Sequence, residues 1–242
     1  MNLYGFVGND GTNDWDILGM WKYLKRDREK AWATICAEEG DKWKDLADKL
    51  KLESQDAQKW VRNYEAVPKG GTSYQVPNVS VFFSNISWDD ANLAIYAVTT
   101  DLLNMARYDS ERGYKTEWVH SDDPEEFKSK WQVEGIYRFY FAGHGAPYIR
   151  RTWYGRDIIE SWMGLIIDNT HKDTSTLAVV SSSEVAPKYK LRMVSLYACG
   201  SADMGWQTHV SNNGGLFIGY HGNTWIGNCM STLAIEIYHG IN

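Results

Sequence analysis

Five short strand-type runs, spaced by helix-type stretches, constrain this chain more than any other feature. They are Val79-Ser-Val-Phe-Phe83, Lys115 to Val119, Ile136-Tyr-Arg-Phe-Tyr-Phe-Ala142, Leu191-Arg-Met-Val-Ser-Leu-Tyr-Ala198 and Leu216-Phe-Ile-Gly-Tyr220. Short runs this rich in aromatic and aliphatic residues read as strands buried on both faces. Between the first two, Ser87-Trp-Asp-Asp90 has the form of a capping box and predicts a helix through about Arg107. Asp123-Pro124-Glu125-Glu126 is a second helix start, with a cap, a proline at the first helical position and acids at the positive end of the dipole. Between the third and fourth runs, Leu165 to Ile167 and Leu177 to Val180 read as a hairpin around a polar loop. This alternation predicts an α/β fold with a mainly parallel sheet covered on both faces. Chemistry in such folds sits beyond the carboxyl ends of the strands.

The first 77 residues have a different character. Gly5, Gly8, Asn9-Asp10-Gly11 and Asn13-Asp14 crowd the start with turn signals. From Trp21 to about Tyr64 the pattern is charged and helical: Trp32, Ile35 and Cys36 stand at i, i+3, i+4, as do Trp43, Leu46 and Ala47, followed by Leu50. Val67-Pro-Lys-Gly-Gly71 then breaks the chain. The expected division is residues 1–20, a helical segment over 21–77 and the α/β unit over 78–242.

Composition narrows the function classes. Across 242 residues, 25 basic side chains face 31 acidic ones for a net charge of −6, with no Lys/Arg cluster. A nucleic-acid partner held by phosphate neutralisation is therefore not expected. No apolar run approaches the ~20 residues of a membrane helix, so no membrane partner is expected either. No basic stretch followed by an apolar one opens the chain, so no secretory signal is read and the compartment stays open. Three cysteines (Cys36, Cys199, Cys229) without a CxxC pair provide neither a disulfide framework nor a zinc knot. No cofactor or metal is expected.

The third strand run leads into Gly143-His144-Gly145 and the fourth into Cys199-Gly200-Ser201, 55 residues on. A parallel sheet thus delivers an imidazole and a thiol to one edge. A thiol with an ordinary pKa of ~8.5 is mostly protonated at neutral pH, and a neighbouring imidazole activates it. The backbone amides of Gly145 and Cys199 are candidate donors to a developing oxyanion. A cysteine at a strand end is otherwise a small buried hydrophobe, and the coincidence with His144 favours a catalytic pair. Cys36 and Cys229 have no such histidine and read as packing residues.

Phe141-Ala-Gly-His-Gly145 resembles the histidine block of metacaspases, Tyr197-Ala-Cys-Gly200 their cysteine block, and Gly214-Gly-Leu-Phe-Ile-Gly219 the strand that follows. Residues 78 to 242 therefore resemble the caspase-like cysteine peptidases, in which His and Cys lie ~50 residues apart. The resemblance implies a caspase-like fold, Cys199 as nucleophile, His144 as general base and a protein or peptide as substrate. Metacaspases carry Asp, and legumains Glu, two residues before the nucleophile, where Tyr197 stands here. Asp203 and Asp168 are candidate acceptors of a Lys or Arg side chain, or else solvated loop acids. Tyr220, His221 and Trp225 follow the fifth strand, where these peptidases build part of the substrate cleft; packing in the core is the alternative. His221-Gly222 is a second strand-end His-Gly, but it lies after the cysteine and reads as a pocket wall.

Two further resemblances lie upstream. Asn2-Leu-Tyr-Gly-Phe-Val-Gly-Asn9, with Asn13, Asp16 and Leu18-Gly19-Met20, resembles the end of an Rhs-repeat core, with Gly11 and Ile17 in place of that family's prolines. This resemblance implies an effector following an upstream Rhs core, and an autocleavage site near Met20-Trp21. Residues 40 to 77, with Trp43-Lys-Asp-Leu-Ala-Asp-Lys-Leu50 and Tyr74-Gln-Val-Pro77, resemble a LysM module, a binder of N-acetylglucosamine chains. A helical spacer that packs on the peptidase is the other reading of that stretch. The expectation for the whole is a caspase-like cysteine endopeptidase. The alternative is a degenerate caspase-like domain that binds glycan or protein.

Overall fold

The computed structural model describes residue 21 and residues 24–85, 93–154, 156–167 and 178–222. Its centre is a five-stranded sheet of β4 (Val79–Ser84), β5 (Lys115–His120), β6 (Ile136–Ala142), β10 (Met193–Tyr197) and β11 (Leu216–Ile218). The order across the sheet is β11-β10-β6-β4-β5, and every neighbouring pair is parallel. All five runs read as strands in the sequence are strands of this sheet. β4 and β6 lie inside it, and each of their residues is buried.

Alternation along these strands feeds two cores. Val81, Phe83, Phe139 and Phe141 share one core with Phe127 and Trp131, while Phe82 and Tyr140 belong to another with Leu102 and Met105. On the first face α4 (Pro124–Lys130) sets Phe127 edge-on to Phe83 and Phe141, at 5.0 and 5.6 Å. Just past it, Trp131 stacks on Phe139 at 4.0 Å and on Trp206 at 5.3 Å. On the second face the long helix α3 (Leu93–Glu111) packs over Phe82 and Tyr140, whose rings stack at 4.4 Å. The sheet is therefore covered by helices on both sides, as the alternation predicts. α4 begins as its sequence dictates, with the Asp123 carboxylate accepting from the Glu125 N–H at 2.9 Å; such a cap stabilises by ~1 kcal/mol. The capping box at Ser87 lies outside the described residues.

A buried charge pair adjoins the second core through Tyr140 and the first through Tyr114. Arg138 Nη1 donates to Asp109 Oδ1 at 2.5 Å, Arg138 Nη2 to the Tyr114 hydroxyl at 2.9 Å, and the Tyr140 hydroxyl to Asp109 Oδ2 at 3.3 Å. Burial opposes the guanidinium's charge, but Asp109 and the surrounding tyrosines outweigh it and hold Arg138 firmly protonated.

Among the described residues there are two further sheets. β7 (His144–Trp153) and β8 (Arg156–Ile166) form a long antiparallel hairpin, and β9 (Val179–Val180) pairs with the end of β8. Of the expected hairpin of Leu165–Ile167 with Leu177–Val180, the pairing is present as Leu165↔Val180 and Ile166↔Val179, while Leu177 and the loop lie outside the described residues. The larger hairpin preceding it was not legible in the pattern.

Upstream, β1 (Leu24–Lys25), β2 (Trp32–Cys36) and β3 (Ser73–Pro77) form an antiparallel sheet, joined by α1 (Trp43–Leu50) and α2 (Ala57–Trp60). α1 is the helix expected, with Trp43, Leu46, Ala47 and Leu50 all buried. The reading of Trp32, Ile35 and Cys36 as helical is corrected: these residues form β2, the central strand of the small sheet. Five residues satisfy the helical and the strand period alike, and hydrogen-bonded neighbours on both sides decide. Residues 21–77 are therefore mixed α and β rather than helical. One continuous hydrophobic cluster runs from Trp21 through the sheet core to Val210. Asn78 is the only residue between β3 and β4. Fully buried, it donates Nδ2 to the carbonyls of Asp27, Lys30 and Gly113 at 3.0 Å each and accepts from Arg26 at 2.9 Å.

Candidate active site

The edge formed by the carboxyl ends of β6 and β10 collects the residues singled out in the sequence. β6 and β10 are adjacent and in register, with Ala142 opposite Tyr197. The ladder continues one step further, as Gly143 N–H donates to the Tyr197 carbonyl at 3.1 Å. Neighbouring strands lie ~4.8 Å apart, so His144 and Cys199, each two residues past its strand, leave the sheet side by side. His144 is exposed and is the first residue of β7; Cys199 is half-buried and carries a thiol.

Glycine makes this approach feasible at two positions. A Cβ on Gly145 would fall onto the Cys199 carbonyl oxygen, and within 2.9 Å of that residue's carbonyl carbon and of Met204 Cε. A Cβ on Gly143 would overlap Asn85 Oδ1 and the Phe141 ring. The histidine-bearing segment therefore lies against the cysteine-bearing backbone with no space between them.

The cysteine segment is a tight turn. Gly200 has φ 64°, the left-handed region that glycine adopts at no steric cost, and a 3-10 turn over Ser201–Asp203 follows. Ser201 is fully buried. Its hydroxyl donates to the Leu196 carbonyl at 2.9 Å and accepts from the Tyr220 N–H at 3.0 Å. Gly200 N–H donates to the Gly222 carbonyl at 2.7 Å and Ala202 N–H to the Tyr220 carbonyl at 3.1 Å. The segment after β11 is thereby laced to the turn that carries Cys199.

Of the expected substrate-binding residues, Asp203, Tyr220 and His221 come together here. His221 Nδ1 lies 2.8 Å from Asp203 Oδ1. The Tyr220 ring meets Tyr197 edge-on at 5.0 Å. Burial raises both phenol pKa values: the carboxylate of Asp101 adds to this at Tyr197, and the neighbouring Tyr197 and Asp101 add to it at Tyr220. Asp168, Trp225 and Cys229 lie outside the described residues, as does the Rhs-like segment at 1–20.

Two residues of this edge were not singled out in the sequence. Asn85, just past β4, is buried and donates Nδ2 to the carbonyls of Ile166 and Ile167 at 2.5 and 3.0 Å, which ties the β7–β8 hairpin to the sheet. Ser201 supports the turn from below. A polar residue at the end of a buried strand was the available hint for both, and common loop composition masks it.

Cys36 stands apart from this edge, with its Sγ 3.0 Å from Ser73 Oγ. It lines a groove of about 760 Å³ bounded by residues 36–39 on one side and 69–71 on the other. Among the described residues no three His, Cys, Asp or Glu side chains gather as metal ligands, and no helix is long and apolar enough to cross a membrane.

Such an edge has the parts for nucleophilic acyl transfer: a thiol on a turn, an imidazole on the adjacent strand end, and backbone amides beside both. No family model matches the chain, and no curated protein matches it.

Proposed function

We propose that the chain is a cysteine endopeptidase of caspase-like type that hydrolyses peptide bonds through a Cys199–His144 dyad. The observation that carries this reading is the emergence of His144 and Cys199 from adjacent, in-register parallel strands, with Gly145 against the Cys199 carbonyl. The strand order β11-β10-β6-β4-β5 and the helical cover on both faces suit the fold that the sequence blocks imply. In the first step His144 takes the thiol proton and the Cys199 sulfur attacks the scissile carbonyl. The oxyanion is held by the amides of Gly145 and Cys199, each such donor being worth ~3 kcal/mol. The tetrahedral intermediate then collapses; the C–N bond breaks, and the leaving amine takes the proton from His144. Water, deprotonated by His144, next attacks the thioester and releases the acyl product with the thiol restored.

Cleavage-site profiling against a peptide library tests the proposal. Wild type is expected to cleave, whereas Cys199→Ala and His144→Ala are expected to be inactive. Undiminished turnover in Cys199→Ala removes the thiol from the mechanism. The proposed setting is an effector that follows an Rhs-type core, and a chain with its upstream partner restored is the material in which to look for release at Met20-Trp21.

A second reading has its own observation. The groove between residues 36–39 and 69–71 has one wall in the LysM-like stretch and the other just before it, and Gly70 approaches the Glu39 backbone so closely that a Cβ would stand 2.9 Å from its nitrogen. This groove supports glycan binding in a chain whose dyad is inert. Peptidoglycan retention that depends on residues 40–77, together with no thiol reactivity at Cys199, is the outcome that favours it.

A further inference from the structure

We propose that Glu53, on the corner between α1 and α2, is a positioning residue for the cysteine turn, acting through β11 from the opposite end of the sheet. That role rests on the reading of Cys199 and His144 as the dyad, and it names what holds the thiol's turn in place. β11 has three residues, all half-buried, and among the described residues it pairs with β10 alone. So short a strand has little stability of its own, and the anchors at its two ends decide where it stands. At its carboxyl end it meets the cysteine turn. Gly219 directly follows β11, and a Cβ there would stand 2.9 Å from the Ala202 nitrogen. Beyond it, the Tyr220 N–H bonds to Ser201, and the carbonyls of Tyr220 and Gly222 accept from Ala202 and Gly200.

At its amino end β11 follows the turn Ser211-Asn-Asn-Gly214, and the upstream corner grips that turn. Glu53 Oε1 accepts from the Asn212 N–H at 2.6 Å, and Asn213 Nδ2 donates to Asp48 Oδ1 at 2.8 Å and to the Leu52 carbonyl at 3.1 Å. Arg192, just before β10, adds a bond from Nη1 to the Gly214 carbonyl at 2.6 Å. The corner is itself fixed. Leu52 is fully buried, the Trp60 indole N–H donates to the Glu53 carbonyl at 3.0 Å, and the Tyr137 hydroxyl donates to the Leu50 carbonyl at 2.8 Å. Tyr137 lies on β6, the strand that leads to His144. One corner is thus bonded both to the histidine strand and to the turn that feeds β11. A carboxylate that accepts a backbone N–H makes a charge-assisted bond, roughly twice as strong as a neutral one. At ~3.3 Å per residue β11 is only about 10 Å long, and Gly219 leaves no gap at its far end. A slide at residues 211–214 therefore arrives at Ala202. On this account the stretch that carries Glu53 is part of the catalytic frame rather than a separate module.

Two measurements on the full chain test this. In the first, hydrogen exchange is resolved to single amides by NMR. Glu53→Ala is expected to speed exchange at Gly200 and Ala202, at the far end of β11, by ~10-fold or more, while the β4 amides keep their wild-type rates. Glu53→Gln keeps an acceptor oxygen and is expected to restore most of the protection. Asn213→Ala removes the corner's other two contacts and is expected to act in the same direction as Glu53→Ala. Acceleration confined to residues 212–216, or spread evenly through β4, overturns the proposal. The second measurement compares peptide hydrolysis. Glu53→Ala is expected to lower kcat by ~10-fold or more with KM within about twofold, and Glu53→Gln to recover it, because a 1 Å misplacement at a reacting centre costs on the order of 100-fold. An unchanged kcat, or a loss seen in KM alone, also overturns it. A wild type that cleaves no peptide counts against the dyad, whereas the exchange pattern decides the role of Glu53 without turnover.

Discussion

Gly145→Ala is the substitution through which the fold most directly governs the chemistry. An added Cβ lands on the Cys199 carbonyl oxygen and stands 2.9 Å from that residue's carbonyl carbon and from Met204 Cε. Met204 Cε is the end of a flexible side chain and can yield. The Cys199 carbonyl is backbone, fixed by the turn from Gly200 to Asp203 and by the lacing of Gly200 and Ala202 to Gly222 and Tyr220. Either β7 or the cysteine turn must withdraw by ~1 Å, a displacement that costs on the order of 100-fold in rate at a reacting centre. Overpacking of this kind also destabilises by about 1–3 kcal/mol. The assay pairs kcat/KM on a cleaved peptide with the rate of Cys199 alkylation by iodoacetamide and the urea midpoint. The expected result is a ~100-fold loss of peptide hydrolysis, an altered alkylation rate and a lower midpoint. A Gly145→Ala chain as active and as stable as wild type would refute the close approach of the two segments.

Further expectations concern the frame of the site. Asp109→Asn leaves the Arg138 guanidinium buried without its counter-charge and should cost about 3–5 kcal/mol in urea unfolding, whereas Asp109→Leu combined with Arg138→Met should cost far less than the two single changes together. Asn78→Ala removes a fully buried amide and its bonds to three backbone carbonyls, and should cost about 1–3 kcal/mol by the same assay, with loosening of the β3–β4 junction visible in amide exchange. Trp131→Ala removes the ring between Phe139 and Trp206 and should cost about 3–5 kcal/mol. Burial lowers the pKa of His209 below its ordinary 6.5, against the opposing pull of the Ser182 carbonyl. The unfolded chain then binds the proton more readily, so this contribution is complete above pH 6.5 and is lost as pH falls toward the lowered value. In His209→Gln the midpoint should fall less over that acid range; an unchanged slope contradicts the assignment.

The sheet was legible because its strands are buried on both faces. Val79–Ser84 and Ile136–Ala142 admit little but apolar and aromatic residues, and that composition marks them in a single sequence. α4 was legible from Asp123 and Pro124, whose cap is local chemistry. The strand Trp32–Cys36 was not, because five residues with Trp, Ile and Cys at 1, 4 and 5 fit a helix as well as a strand, and only pairing with β1 and β3 decides between them. β7 was hidden by its start: His144 and Gly145 read as a loop, yet they pair with Ile166 and Leu165. At the site, the order His-then-Cys on strand ends put His144 and Cys199 at one edge of the sheet, where adjacent strands deliver them. The His221–Asp203 contact spans 18 residues and depends on Gly200 bonding to Gly222, which no local pattern announces.

The dyad itself is tested most directly by covalent capture. The full chain is treated with a peptide bearing an electrophilic ketone at the scissile position, and the adduct is located by mass spectrometry of proteolytic fragments. One adduct on Cys199, slowed at least ~100-fold by His144→Ala and absent from Cys36 and Cys229, is the result this account predicts. Labelling spread over all three cysteines, or labelling of Cys199 that is indifferent to His144, contradicts it.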